Sequence, residues 1–283
     1  MSGFLFEQVV FGPIKSRRLG ISLGVNLLPL NRKVCTFNCL YCECGWTKHA
    51  DDLITQRGGE LPGTRCSGVG DKMQGQEKRG FPDKNIICAE LEKKLTSMVD
   101  KKAMLTNITF AGNGEPTLHP DFEEIVNDTI VLRNQYYPMA GISVLSNATF
   151  ADREPVTRAL MKVDQNILKL DAGTDETFQR INNPRIAITL PELIEKLKRF
   201  KGKMVIQTLF VKGKYRGTAF DNTTDAEVDA WLKHIDMLQP QSVMIYPIAR
   251  DTPIEDVEKI APEKLMEIAR KVEALGIRAE VFG

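Results

Sequence analysis

Six of the 283 residues are cysteine, and three of these fall in one short stretch, Cys35-Thr36-Phe37-Asn38-Cys39-Leu40-Tyr41-Cys42, with Cys44 close behind. Thiolates are the protein ligands of iron–sulfur clusters, which need several of them converging on one small inorganic core. Three thiolates within eight residues can surround one centre only if the segment is a loop. The run Leu30-Asn31-Arg32 before it, Asn38 within it and Gly45 after it fit that requirement. A structural zinc site usually shows two separated Cys/His pairs and four protein ligands. This sequence has no second CxxC, and its three histidines, His49, His119 and His234, are far apart. A disulfide scaffold is not expected of six cysteines in a chain this long. The spacing therefore points to a cluster held by Cys35, Cys39 and Cys42, and three ligands on four irons leave one iron open for chemistry.

The elements that must position this loop come next. Ile21 to Leu30 reads as a strand leading into it. Gln56 to Lys84 loses periodicity and fills with glycine and charge, so a long glycine-rich insertion or lid loop is expected there. From Ile86 onward, helix and strand patterns alternate: helices over 86–101, 121–134, 152–162 (capped by Asp152), 174–181, 190–200, 225–237 and 262–275. The intervening strands are expected over 107–111, 141–145, 166–170, 204–211, 242–246 and 277–281. The alternation implies a parallel sheet with helical crossovers. We expect one α/β domain over 1–283, a single partial (β/α)6-type, TIM-like barrel, with a doubly wound sheet as the alternative.

In either fold, ligands gather beyond the carboxyl ends of the strands. After the strand ending at Ala111 comes Gly112-Asn113-Gly114-Glu115-Pro116, in which two glycines allow close backbone approach. An ordinary turn would look the same. The next strand ends in Ser146-Asn147, which would also serve as a helix cap. On the following strand, side-chain alternation puts Ile167, Lys169 and Asp171 on one face, directed into a barrel. A buried lysine and aspartate need each other or a ligand. Gln207 fits the same argument. Arg17, Arg18 and Arg250 are candidate anion contacts or solvated surface residues. Cys44, Cys66 and Cys88 share no ligand-like spacing, and inert thiols are the simpler reading than a second cluster. His119 reads as a helix-start residue.

The CxxxCxΦC pattern, with Tyr41 before the third cysteine, resembles the hallmark of the radical S-adenosylmethionine superfamily. The resemblance implies that Cys35, Cys39 and Cys42 hold one [4Fe-4S] cluster whose open iron takes the amino and carboxylate groups of S-adenosylmethionine. It implies reductive cleavage to methionine and a 5′-deoxyadenosyl radical, which abstracts a hydrogen atom from a substrate, with flavodoxin or ferredoxin as one-electron donor. Gly112–Pro116 looks like that family's GGEP motif, which contacts the methionine amino group, with Asn113 standing at its first glycine. Tyr41, Gly112, Asn113, Gly114, Glu115, Pro116, Ser146, Asn147, Lys169, Asp171 and Gln207 are then the expected cofactor-binding residues. With Gly12-Pro13 and Ser16-Arg17-Arg18-Leu19-Gly20, the turn resembles the wyosine-biosynthesis-like group of iron–sulfur oxidoreductases. RNA, a partner protein and a small molecule stay open as substrates. The alternatives are a glycyl-radical-enzyme activase and, in another class, a non-catalytic electron-transfer protein.

Composition narrows the partners. Thirty-eight Lys+Arg against 37 Asp+Glu leave a net charge of +1, which gives no global pull toward nucleic acid or membrane. The first residues read as no signal peptide, and no 18-residue apolar run occurs, so no membrane span is expected. Free thiols suit a reducing cytoplasm. No GxxxxGK[ST], Gly-x-Ser-x-Gly or His-Glu-x-x-His occurs.

Overall fold

The computed structural model describes residues 3–48 and 80–283. The insertion or lid expected over 56–84, together with His49 and Cys66, falls almost wholly outside the described residues. An edge hairpin, β1 (Val10–Ser16) and β2 (Gly20–Val25), leads into the cysteine loop. Alternating units follow: α1 (Lys84–Asp100), β3 (Asn107–Phe110), α2 (Phe122–Tyr136), β4 (Gly141–Ser146), α3 (Glu154–Lys162) and β5 (Gln165–Lys169). Then come α4 (Asp175–Ile181), α5 (Leu190–Lys198), β6 (Val205–Leu209), β7 (Val211–Tyr215), β8 (Thr218–Asp221) and α6 (Asp225–Leu238). The chain ends in β9 (Ser242–Tyr246), β10 (Val257–Lys259), α7 (Pro262–Glu273) and β11 (Arg278–Val281).

The main sheet has eight strands in the order β1-β2-β3-β4-β5-β6-β9-β11, parallel throughout except for the antiparallel β1 at its edge. The order never reverses, which is what a doubly wound sheet would require. Helices α1, α2 and α3 pack on one another in turn, as do α4, α5, α6 and α7. The architecture is a partial TIM-like α/β barrel whose sheet is not closed.

Alternation along the strands places two kinds of surface. Leu168 and Leu170 belong to the main core with the outer helices, among them Ile87, Leu91 and Leu95 of α1. Ile167 faces inward and packs with Val205 and Met244. Lys169, two residues on, shares that inward face. This inner layer forms the floor on which the site stands.

The structure departs from expectation in three places. The single strand over 204–211 is two, because β6 ends at Leu209 and β7 starts a small antiparallel sheet in the order β10-β7-β8. Asn222 fixes the break: its amide donates to the carbonyls of Asp171 and Leu209 (both 2.8 Å), and its oxygen accepts from Val211 N at 2.7 Å. The helix expected to be capped by Asp152 begins at Glu154 with no side-chain cap, and Asp152 pairs instead with Lys196 at 2.5 Å. The strand over Ile21 to Leu30, expected to be the first, is preceded by β1 in the opening segment.

Candidate active site

The cysteine loop is held from both sides. On the sheet side, Val34 makes a parallel bridge to Gly114: Val34 N donates to Asn113 O (2.8 Å), and Glu115 N donates to Val34 O (3.0 Å). Gly114 is required here, since its φ is +139° and a Cβ would overlap the Val34 carbonyl oxygen. On the other side, Phe37 bridges Pro184, with Asn38 N on Asn183 O (3.0 Å), Leu40 N on Ile181 O (2.9 Å) and Arg185 N on Thr36 O (2.7 Å). Within the loop, Thr47 and Asn38 close the return path. Thr47 Oγ1 lies 3.1 Å from both Cys35 N and Cys35 O, and Thr47 N donates to Asn38 Oδ1 at 2.7 Å.

All four clustered cysteines are free thiols. Cys35, Cys39, Cys42 and Cys44 line one cavity of about 270 Å³ at the carboxyl ends of the strands. Burial pushes the Cys35 thiol up to about 12 and raises Cys39 as well. Cys42 is the exception: a hydrogen bond from Cys44 holds it well below the usual thiol range, and the same bond drives Cys44 up. Phe37 N points at Cys35 Sγ (3.4 Å), and the amides of Asn147 and Asn182 reach Cys35 Sγ and Cys39 Sγ at 3.6 Å.

Lys33 was missed in the sequence. It is 4% exposed, donates to Gly45 O at 2.9 Å and lines the same cavity as the thiols. Burial works against its charge, but the nearby sulfurs of Cys42, Cys35 and Cys39 outweigh that and hold it above the ordinary lysine value. Nothing but its place two residues before Cys35 would have marked it. Asn182 was also missed, because it is remote in sequence and belongs to no motif.

The cavity gathers Tyr41, Gly112, Gly114, Glu115, Ser146, Asn147, Lys169 and Gln207 from the expected cofactor residues and Arg18 from the candidate anion contacts, and adds Tyr246. Glu115 is 2% exposed and takes four donors: Thr117 N (3.1 Å), Thr117 Oγ1 (2.6 Å), Ser146 Oγ (2.8 Å) and Asn147 N (2.6 Å). Burial raises its carboxyl above the usual range against the pull of those bonds. Lys169 Nζ lies 3.5 Å from Asp171 Oδ2, 3.3 Å from Tyr246 OH and 5.1 Å from the Tyr41 ring centroid. Burial opposes its charge, yet Asp171 keeps it protonated well above the usual lysine value. Gln207 is 6% exposed, and its Nε2 has no partner among the described residues.

Other expected residues lie off the cavity wall. Asp171 supports it from behind, accepting from Tyr41 OH, from Asn182 Nδ2 (2.7 Å) and from Leu209 N (2.9 Å). Pro116 starts a short 3-10 helix. Asn113 is wholly buried and ties down the amino-terminal segment, accepting from Phe6 N (2.8 Å) and donating to Phe6 O (3.0 Å) and Pro29 O (2.9 Å). A glycine there would make none of these bonds. Asn113→Ala is expected to lower unfolding free energy by about 1–3 kcal/mol, and denaturant titration showing no loss would contradict the tie. Arg17 donates to Gly283 O, Arg250 pairs with Glu43 at 2.8 Å, and Cys88 sits on α1 against Asp128. His119 contacts Pro82 O and Asp121 N, as a helix-start residue would.

Comparison with known proteins decides the family. The profile described as "Radical SAM superfamily" matches residues 33–235, from Lys33 before the first cysteine to α6. The chain belongs to the radical SAM superfamily. A protein named GTPase Obg from Brachyspira hyodysenteriae is 26% identical over 93% of this chain and 33% of its own length. A UPF0026 protein of Methanocaldococcus jannaschii is 27% identical over 72% of this chain and 54% of its own. The chain thus spans between a third and about half of these relatives. Among solved structures, a radical SAM methyltransferase from Sphaerobacter thermophilus has a TM-score of 0.61 at 16% identity, covering 92% of this chain and 65% of that one. The wyosine-biosynthesis enzyme TYW1, with a lysine–pyruvate adduct bound, has a TM-score of 0.52 at 13% identity, covering 89% and 73%. At such identities the likeness is one of fold.

The donor set suits the superfamily's cofactors. Among the described residues, no three Cys, His, Asp or Glu side chains are arranged to hold a single metal ion. A several-iron core spreads its ligands round a larger body, and the thiols here surround a cavity instead of meeting at a point. The unpartnered Gln207 donor and the buried cations match a ligand rich in acceptors. No helix among the described residues is long and apolar enough to cross a membrane.

Proposed function

We propose that this radical SAM protein is an enzyme that holds one [4Fe-4S] cluster on Cys35, Cys39 and Cys42 and binds S-adenosylmethionine beside it. The chemistry supplied when both are bound is reductive cleavage to methionine and a 5′-deoxyadenosyl radical, which takes a hydrogen atom from the substrate. What supports the reading is that three thiols, a glycine turn and an unpartnered buried donor face one cavity at the sheet's carboxyl edge.

The chain's own residues divide the work. Gly112 and Gly114 leave backbone open to the cavity, where a methionine amino group would find acceptors. Glu115 spends its lone pairs on Ser146, Asn147 and Thr117, so its role is to fix the ends of β3 and β4 relative to each other. Lys169 and Gln207 supply donors for a carboxylate or ribose. Phe37, Leu145 and Leu209 line the wall with apolar surface, which excludes water from a reactive radical. Tyr41 is locked by Asp171, holding the ring beside Cys42. Flavodoxin or ferredoxin is the expected one-electron donor.

Protein reconstituted anaerobically with iron and sulfide, then given dithionite and S-adenosylmethionine, is expected to release 5′-deoxyadenosine. Cluster-loaded protein that releases none would hand the argument to electron transfer. Iron of about four per chain fits one cluster, and about eight would mean a second.

A further inference from the structure

We propose that Arg18 is the anchor for an acid group, carboxylate or phosphate, of the enzyme's substrate, at the end of the cavity roofed by Tyr246. This rests on the reading of the cavity as the reaction site and names the class of substrate it would take. Arg18 sits in the β1–β2 turn, whose shape is set by Ser16: its hydroxyl accepts from Arg18 N at 3.3 Å and from Leu19 N at 3.2 Å. The guanidinium lies over the Tyr246 ring, 4.9 Å from its centroid, so stacking holds the side chain in place before anything binds. Its Nη1 is buried without a partner, and no carboxylate pairs with it among the described residues.

The other charges in the wall are already matched. Lys169 has Asp171, Lys33 has the thiols, Glu115 has its four donors, and Glu43 has Arg250. Arg18 is left as a positioned fork of donors with no counter-ion, the arrangement that recognises a carboxylate or phosphate. A second small cavity of about 70 Å³ continues from it past Tyr246 toward Pro247 and Phe282, giving a bound acid room to extend. Arg18 and Tyr246 both lie outside residues 33–235, the part shared with the superfamily. Groups outside the shared part are free to serve the substrate rather than the common cofactor. One unpaired cation in the wall suits a single acid group rather than the repeated phosphates of a polyanion.

The test is a thermal-shift comparison on the reconstituted full chain, with inorganic phosphate or acetate exchanged for chloride at constant ionic strength. Wild type and Arg17→Met are expected to gain a few degrees with one of the two anions. Arg18→Met should lose that gain, and Arg18→Lys should keep part of it. Phosphate alone stabilising would name a phosphorylated substrate, and acetate alone a carboxylic acid. Equal shifts in Arg18→Met and wild type, or no shift with either anion, would overturn the proposal. Iron content and 5′-deoxyadenosine release, read in parallel, report separately on the proposed function.

Discussion

Cys39→Ala is expected to yield a colourless protein after reconstitution, with 5′-deoxyadenosine release reduced more than about a hundredfold. Cys35→Ala and Cys42→Ala should behave alike, whereas Cys44→Ala should stay brown. The distinction is not obvious from position, because Cys44 lines the cavity and hydrogen-bonds Cys42. It follows from what each sulfur does. Cys35, Cys39 and Cys42 carry the CxxxCxΦC spacing, whereas Cys44 stands outside it and turns its thiol to Gly112 O at 3.5 Å. Its loss is expected to cost Cys42 some stabilisation of its thiolate, and so to weaken iron uptake without abolishing it. Iron and sulfide assays on the four variants decide the matter, and a colourless Cys44→Ala would make it a ligand.

Lys33→Met should be brown but harder to reduce. Three thiolates on one core concentrate negative charge in a buried place, and each electron added increases it. A cation held among the thiols favours both the deprotonated ligands and the reduced state. Methionine keeps most of the side chain's bulk while removing that cation. The midpoint potential should move in the negative direction by tens of millivolts, with slower 5′-deoxyadenosine formation at a fixed reductant. Electron paramagnetic resonance followed through a mediated redox titration measures the shift. A potential unchanged in Lys33→Met would mean that Lys33 only braces the loop through Gly45 O.

The sequence carried the alternation of elements clearly because the buried stripes are regular: Ile87, Leu91, Leu95 and Met98 on α1, or Leu168 and Leu170 behind β5. It also carried the inward turn of Lys169, since period-two geometry leaves it no other face. The small β10-β7-β8 sheet was illegible by that route. Its strands are short and few of their residues are buried, so no apolar pattern marks them. A turn signal was available in Arg216-Gly217, both at positive φ between β7 and β8. Motif reasoning gathered the cavity's glycines and carboxylate but misjudged distances from the wall: Asn113 and Asp171 serve it from behind. Lys33 and Asn182 escaped because an isolated lysine or asparagine is ordinarily a surface residue, and only the fold brings these two against sulfur.

The Val34–Gly114 and Phe37–Pro184 bridges bear on what would follow if oxygen stripped iron from the proposed cluster. In zinc fingers the metal is itself the folding energy, and removing it unravels the chain. Here backbone bonds to two separate parts of the barrel hold the loop, so loss of the proposed cluster is expected to leave the thiols where they stand. Protein that has lost the cluster is therefore expected to regain it when iron and sulfide are resupplied, without synthesis of a new chain.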